Sequence, residues 1–267
     1  MSDLNLIDTH AHLDFEQFDG DVEGALERAA AAGVNRIINV GTTLERSRKS
    51  VALAERFSNV SATVGVHPHD AADVNDSVTD ELKKLSAHKK VVAVGEIGFD
   101  FHYDGGPDET AQVDAFFAQS EVAVEAGLPI IVHSRDAEEL SRQHLKEHAD
   151  LAAADNPARQ EFGVVHCFTG SLQFAEAALK LGYLISFTAP ITYPKNDELR
   201  KVVGAVPLEK LMVETDCPFL PPVERRGKRN EPAFVVATAQ AVADIKGIGI
   251  GEVAQATTAN AERLFGL

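Results

Sequence analysis

Tryptophan is absent from the 267 residues, and cysteine and methionine occur only twice each. Two cysteines, Cys167 and Cys217, cannot build a disulfide framework, so the fold must rest on a buried apolar core, and a reducing compartment is expected. No apolar run approaches the length of a membrane span. The N-terminus lacks a basic region followed by an apolar stretch and a small-residue cleavage site, and the expectation is a cytoplasmic protein with no membrane partner. Cations are also scarce. Lys and Arg number 25 against 41 Asp and Glu, a formal net charge of -16. That balance excludes simple electrostatic adhesion to nucleic acid or to an anionic membrane. Any phosphate-bearing substrate would need local positive charge, from metal ions or from a basic patch. No Pro/Ser-rich linker or low-complexity stretch divides the chain, so residues 1–267 read as one domain.

What is present is alternation. Short apolar runs predict buried strands at the segment ending in Ile7, at Arg36–Val40, Val60–Val66, Val91–Val94, Pro129–Val132, Phe162–Val165, Tyr183–Phe187 and Leu211–Val213. Helical patterns lie between and after them, at Asp21–Ala32, Leu44–Phe57, Thr79–His88, Asp108–Ala126, Ala137–Glu147, Leu172–Leu181, Asp197–Val203, Ala233–Ile245 and Gly251–Phe265. Thr79 reads as an N-cap. The Ala-rich stretch from Asp150 to Arg159 is left unassigned. Eight βα units imply a parallel sheet, and they favour a closed TIM-type (β/α)8 barrel over an open doubly wound sheet. No Gly-x-Gly-x-x-Gly follows the first strand to support a dinucleotide fold.

Metal-competent residues recur where these strands end. The first strand runs into His10 and His12, whose side chains share a face by strand alternation. The third ends in His67 and His69, the fourth in Glu96, the fifth in His133, the sixth in His166 and the eighth in Asp216. In a parallel barrel all these ends open on one face, where active sites are built. Four imidazoles (His10, His12, His133, His166) and two carboxylates (Glu96, Asp216) are too many for one tetrahedral site with an open position. They suit a pair of divalent ions. Glu96 could bridge the two with one oxygen each, and Asp216 could bind metal while accepting a proton from a nucleophilic water. Imidazole-rich ligation fits zinc or manganese better than magnesium, although the sequence does not choose among Zn, Mn and Mg.

Other positions read as support. Asp8 is expected to orient a ligand histidine, and His67 and His69 to contact substrate. Cys167 and Cys217 are expected to turn away from the mouth as small buried hydrophobes. After the eighth strand, Arg225, Arg226, Lys228 and Arg229 put four cations in five positions, followed by Asn230. With Arg135, this loop is expected to hold phosphates that the metals do not reach, Arg229 and Asn230 among the contacts.

The strings DTHAHLD, GVHPHD, VGEIGFD, VHSRDA, HCFTG, ETDCPFL, GKRNEP and NAERLFGL occur in this order. Together they resemble the signature series of the TatD-type metal-dependent deoxyribonucleases, within the amidohydrolase superfamily, over almost the whole chain. The resemblance implies a TIM-type barrel with a two-metal site whose ligands fall on His10, His12, Glu96, His133, His166 and Asp216. It also implies phosphodiester hydrolysis, commonly 3′→5′ exonucleolytic cleavage of DNA. The stretch GFDFHYD after Glu96 departs from the leucine and tyrosine often found there, which puts the substrate wall near Phe99 to Tyr103 in question. DNA ends or single strands are the expected partner; a monomer is compatible with the sequence, which does not fix the oligomeric state. Two rival readings share these residues: hydrolysis of a carboxylic ester or amide such as a D-aminoacyl-tRNA, and metal or nucleic-acid binding without turnover.

Overall fold

The computed structural model describes residues 4–267. Eight strands appear in chain order: β1 (Leu6–Ala11), β2 (Val34–Asn39), β3 (Val60–Val64), β4 (Val91–Asp100), β5 (Ile130–Arg135), β6 (Gly163–Val165), β7 (Tyr183–Phe187) and β8 (Leu211–Val213). Each pairs in parallel with the next, from β1 through β8. A parallel bridge between Ala11 and Cys217 brings the segment after β8 back against β1. There the Asp216 amide donates to the His10 carbonyl (2.9 Å) and the His12 amide to the Cys217 carbonyl (2.8 Å). The expected barrel is the observed one.

Nine helices follow among the described residues: α1 (Val22–Ala31), α2 (Leu44–Arg56), α3 (Asp76–Ser86), α4 (Glu109–Glu125), α5 (Glu138–Asp155), α6 (Leu172–Lys180), α7 (Asp197–Ala205), α8 (Val235–Lys246) and α9 (Ile250–Phe265). The strands are apolar on both faces because both faces are covered. Ile7, Ile38, Val92, Ile131, Val164, Leu184 and Met212 form one cluster that can touch so many different strands only inside the barrel. Leu264 and Phe265 of α9 join it and close the end opposite the mouth. Leu6, Ile37, Val94, Ile130, Val165 and Val213 belong to the larger layer between strands and helices. No single helix among the described residues is long and apolar enough to cross a membrane.

Two helices differ from expectation. α3 begins at Asp76, three residues before Thr79, because the Asn75 side chain accepts from the amides of Ser77 (3.0 Å) and Val78 (3.2 Å) and is the cap. The Thr79 hydroxyl instead donates to the Asp76 carbonyl. α5 runs on to Asp155 and takes in most of the Ala-rich stretch. Alanine is the strongest helix former, and Leu145, His148, Ala149 and Ala152 keep a buried stripe at helical spacing. β4 and β5 are also longer than expected, so Glu96 and His133 lie within strands rather than beyond them. Between these strands Gly98 has φ +142°, and a Cβ there would overlap the His133 carbonyl. Only glycine allows β4 and β5 to approach so closely.

The loop after β8 is held from within. Asn230 is fully buried. Its amide nitrogen donates to the carbonyls of Thr215 (2.9 Å), Phe219 (2.7 Å) and Leu220 (3.3 Å), and its oxygen accepts from the Glu231 amide (3.0 Å). Arg229 donates to the Gln17 carbonyl (2.7 Å), pairs with Asp21 and Glu231, and lies 4.4 Å over the Phe18 ring. Both residues therefore depart from the expected substrate contact. Asn230 spends its polar groups in closing the loop on itself, and Arg229 spends its own in fastening the loop to the segment before α1.

Two stability predictions follow from this packing. Asn230→Ala strands two or more buried carbonyls and is expected to cost about 3 kcal/mol, read as a lowered denaturation midpoint. An unchanged midpoint would remove Asn230 from its fastening role. The second concerns His148 on α5, which donates from Nδ1 to the Tyr183 hydroxyl at 2.6 Å while its Nε2 is buried without a partner. Burial, with Arg159 nearby, pushes this imidazole down to about 4. The unfolded chain therefore binds the proton first as pH falls below the ordinary value of about 6.5. Stability contributed by neutral His148 is present above that value and lost toward pH 4, by about 2–3 kcal/mol. Unfolding measured at pH 7 and pH 4 should show a smaller acid loss in His148→Phe than in the unaltered chain.

Candidate metal centre

The mouth of the barrel gathers the side chains expected from scattered strand ends. β1 delivers His10 and, one step beyond its end, His12. β4 delivers Glu96, β5 delivers His133, and the residues just after β6 and β8 supply His166 and Asp216. His10, His12, Glu96 and His166 are buried.

Their atoms divide into two groups around one carboxylate. On one side, Glu96 Oε2 lies 3.4 Å from His10 Nε2 and 3.9 Å from His12 Nε2. The two imidazole nitrogens are 3.2 Å apart, and Asp216 Oδ1 is 3.4 Å from His12 Nε2 and 3.7 Å from His10 Nε2. On the other side, Glu96 Oε1 lies 2.6 Å from His133 Nδ1 and 2.7 Å from His166 Nε2, with those nitrogens 3.2 Å apart. His67 Nε2 stands 3.5 Å from the same oxygen.

The donor chemistry fits divalent cations. Two pairs of imidazole nitrogens face each other in a buried setting where one proton can satisfy only one contact of several. His10 Nδ1 and His166 Nδ1 are buried without a hydrogen-bond partner. Burial lowers the affinity of the His10 ring for a proton, and the neighbouring His166 lowers it further. The two rings stack with centroids 4.0 Å apart. Burial alone would raise Glu96, but the His166 imidazole and the contacts with His10 and His133 hold it well below the usual carboxylate range. Burial likewise opposes ionisation of Asp216, and the His12 contact outweighs it. The centre thus brings ionised carboxylate oxygens and imidazole nitrogens into one small space, the ligand type that zinc and manganese favour.

Two carboxylates behind this layer were not singled out by the sequence reading. Glu214 accepts from the Cys167 amide (2.6 Å) and the Ser186 hydroxyl (2.6 Å), and its Oε1 is 3.5 Å from His166 Nδ1. Asp100 Oδ2 is 2.9 Å from His133 Nε2 and 3.1 Å from His69 Nε2. Asp100 bonds the His133 nitrogen turned away from Glu96, an arrangement that fixes a ligand histidine's tautomer and orientation, and Glu214 stands beside the corresponding nitrogen of His166. The signal was available in strand parity: Glu214 precedes Asp216 by two residues, and Asp100 follows Glu96 by four.

Asp8 departs from expectation, because it touches no ligand imidazole. Its carboxylate accepts from the amide (2.9 Å) and hydroxyl (2.6 Å) of Thr215, tying β1 to the Asp216 segment. Burial pushes Asp8 up to about 8 against those bonds. Cys217 is fully buried, as expected, but Cys167 is not turned away. Its backbone adopts φ +43°, which breaks the alternation, and the charges of Asp216 and Glu214 reach its half-buried thiol.

His67 and His69 sit at the outer edge of the second group, their rings 4.5 Å apart. The His69 amide donates to His67 Nδ1, and burial pushes the His67 ring down to about 3. Arg135, at the end of β5, lies with its guanidinium carbon 5.1 Å over the Tyr103 ring.

Comparison with known proteins agrees with this geometry. The profile of TatD related DNases matches residues 7–266. The metal-dependent hydrolase YabD of Bacillus subtilis (strain 168) is 42% identical over 260 residues, covering 97% of this chain and 98% of its own. A protein of Citrobacter rodentium (strain ICC168), named 3′-5′ ssDNA/RNA exonuclease TatD, is 35% identical over 269 residues, covering 98% of each. The crystal structure of the TatD homologue YjjV from Escherichia coli K12 superposes with a TM-score of 0.90 at 37% identity, over 98% of both chains. With its barrel and its donor cluster, the chain belongs to the TatD family of metal-dependent hydrolases.

Proposed function

We propose that this chain is a 3′→5′ exonuclease that hydrolyses terminal phosphodiesters of single-stranded DNA at a centre where Glu96 and its neighbouring imidazoles would hold two divalent cations. The opposed use of the two Glu96 oxygens, 3.4 Å from His10 on one side and 2.6 Å from His133 on the other, carries the reading. The relatives named as 3′-5′ ssDNA/RNA exonucleases support the substrate class. His10, His12 and Asp216 would hold one cation with Glu96, and His133 and His166 the other. When bound, such a pair stabilises charge on the attacking and leaving oxygens of a displacement at phosphorus.

The chain's own groups supply the proton traffic and the positioning. Asp216 is kept ionised by the His12 contact, and its side chain retains 14% exposure at the mouth, where it can accept the proton of an attacking water. The neutral His67 ring accepts from the His69 amide at Nδ1, so its proton resides on Nε2. That N–H, beside Glu96, is a donor for a phosphoryl oxygen. Asp100 holds His133 and His69 in place through its buried carboxylate. Arg135 is within reach of a neighbouring phosphate.

Three experiments follow. Cleavage of 3′-end-labelled single-stranded DNA should disappear on exhaustive chelation and return with manganese, zinc or magnesium. Asp216→Asn should lower kcat by about a thousandfold while circular dichroism stays unchanged, because general-base assistance contributes about 10²–10⁴. An Asp216→Asn protein of full activity would exclude the proton-acceptor role. His67→Ala should lose about tenfold in kcat/KM, the effect of removing one hydrogen bond to a charged group.

A further inference from the structure

The aromatic side chains left exposed in this protein are not scattered. Among the described residues the exposed large apolar side chains are Phe101, Tyr103, Leu151, Leu172 and Phe219. All three aromatics follow the strands β4 and β8 at the mouth, and Tyr103 (61% exposed) and Phe219 (45%) are the most exposed of the five. They stand on opposite sides of the donor cluster. Phe219 meets the His12 ring at 6.3 Å between centroids, beside the Glu96 Oε2 group. Tyr103 meets His69 at 5.8 Å, and His69 leads through Asp100 to His133 and the Glu96 Oε1 group.

Both rings are braced. Phe15 packs edge-to-face against Phe219 at 5.7 Å, and the Arg46 guanidinium lies 3.8 Å over Phe15. Arg135 lies over Tyr103. Keeping such rings in water costs burial energy, and Phe219 has no polar atom that a solvent-facing role could use.

Charge completes the pattern. Arg225, Arg226 and Lys228 are exposed on the loop that carries Phe219, and neither they nor Arg135 forms an ion pair among the described residues. In a chain of net charge -16 these cations lack a carboxylate partner: Arg135 lies over exposed Tyr103, while Arg225 lies 5.1 Å over Phe234 and Arg226 5.1 Å over Tyr193. Aromatic platforms interleaved with unpaired cations are how proteins bind single strands, stacking bases while neutralising phosphates. A paired duplex end would keep its bases stacked on each other and leave both rings unused.

We propose that Phe219 and Tyr103 are stacking platforms for the two nucleobases flanking the scissile phosphate, so that the enzyme selects unpaired, base-bearing strand ends. Arg135 on one side and Arg225, Arg226 and Lys228 on the other take the adjoining phosphates. The proposal rests on the exonuclease reading above and assigns positions to it that the metal ligands do not supply.

The test uses fluorescein-labelled decamers with phosphorothioate linkages, which resist cleavage. One carries all its bases, and the other has base-free sugars at its two 3′-terminal positions. Anisotropy titration should show the base-bearing strand bound about ten- to a hundredfold more tightly, the range that stacking of one or two bases gives. Phe219→Ala should lose about tenfold for the base-bearing strand, so that the two strands converge, and Phe219→Trp should restore the difference. Tyr103→Ala should act in the same direction. Equal binding of the two strands by the unaltered protein would overturn the platforms, as would a Phe219→Ala protein that loses affinity for both in proportion. Cleavage of ordinary strands is measured separately. Base-dependent binding without any cleavage would contradict the hydrolase reading and leave the platforms standing.

Discussion

One carboxylate with two differently occupied oxygens organises the mouth of this barrel. Glu96 faces His10 and His12 through Oε2, and His133 and His166 through Oε1. A buried anion of this kind is costly unless cations or donors surround it. Of the surrounding imidazoles His10, His12 and His166 are themselves buried and His133 half-buried, and two pairs of their nitrogens stand 3.2 Å apart. Each half of the cluster favours positive charge, which protons on His12, His133 and His166 or a bound cation supply. The barrel exists to hold this arrangement still: six donors from five strand regions converge because parallel closure turns all strand ends to one face.

The supporting layer explains how the donors stay aimed. Glu214 and Asp100 stand behind His166 and His133, and Asp8 fastens the Asp216 segment to β1 through Thr215. Gly98 lets β4 lie close to β5, so Glu96 and His133 come within contact distance. Buried Asn230 and paired Arg229 then fix the loop on which Phe219, Arg225, Arg226 and Lys228 sit. Rigid strands thus carry the chemistry, and a fastened loop carries the groups suited to a long substrate.

Much of this was legible in the sequence, for identifiable reasons. Strand parity announces that His10 and His12 share a face, and eight βα repeats announce that their face is shared with Glu96, His133, His166 and Asp216. Parity could equally have found Glu214 and Asp100, whose spacings of two and four residues from Asp216 and Glu96 were there to be counted. Other features were not legible. A run of cations does not say which of them find carboxylates across the fold, so Arg229, which meets Asp21 some two hundred residues away, looked like its neighbours Arg225 and Arg226. Asn230 reads as a polar loop residue until three carbonyls close around it. Cys167 escapes alternation because a left-handed backbone follows β6 there. The start of α3 depended on which of two polar side chains captured the first free amides, and Asn75 did.

The central claim is that two cations share Glu96, and anomalous diffraction from crystals grown with manganese or zinc addresses it directly. The account predicts two anomalous peaks per chain, one between Glu96 and the His10–His12 pair and the other between Glu96 and the His133–His166 pair. A single peak, peaks away from Glu96, or none after soaking in excess of either ion would contradict it.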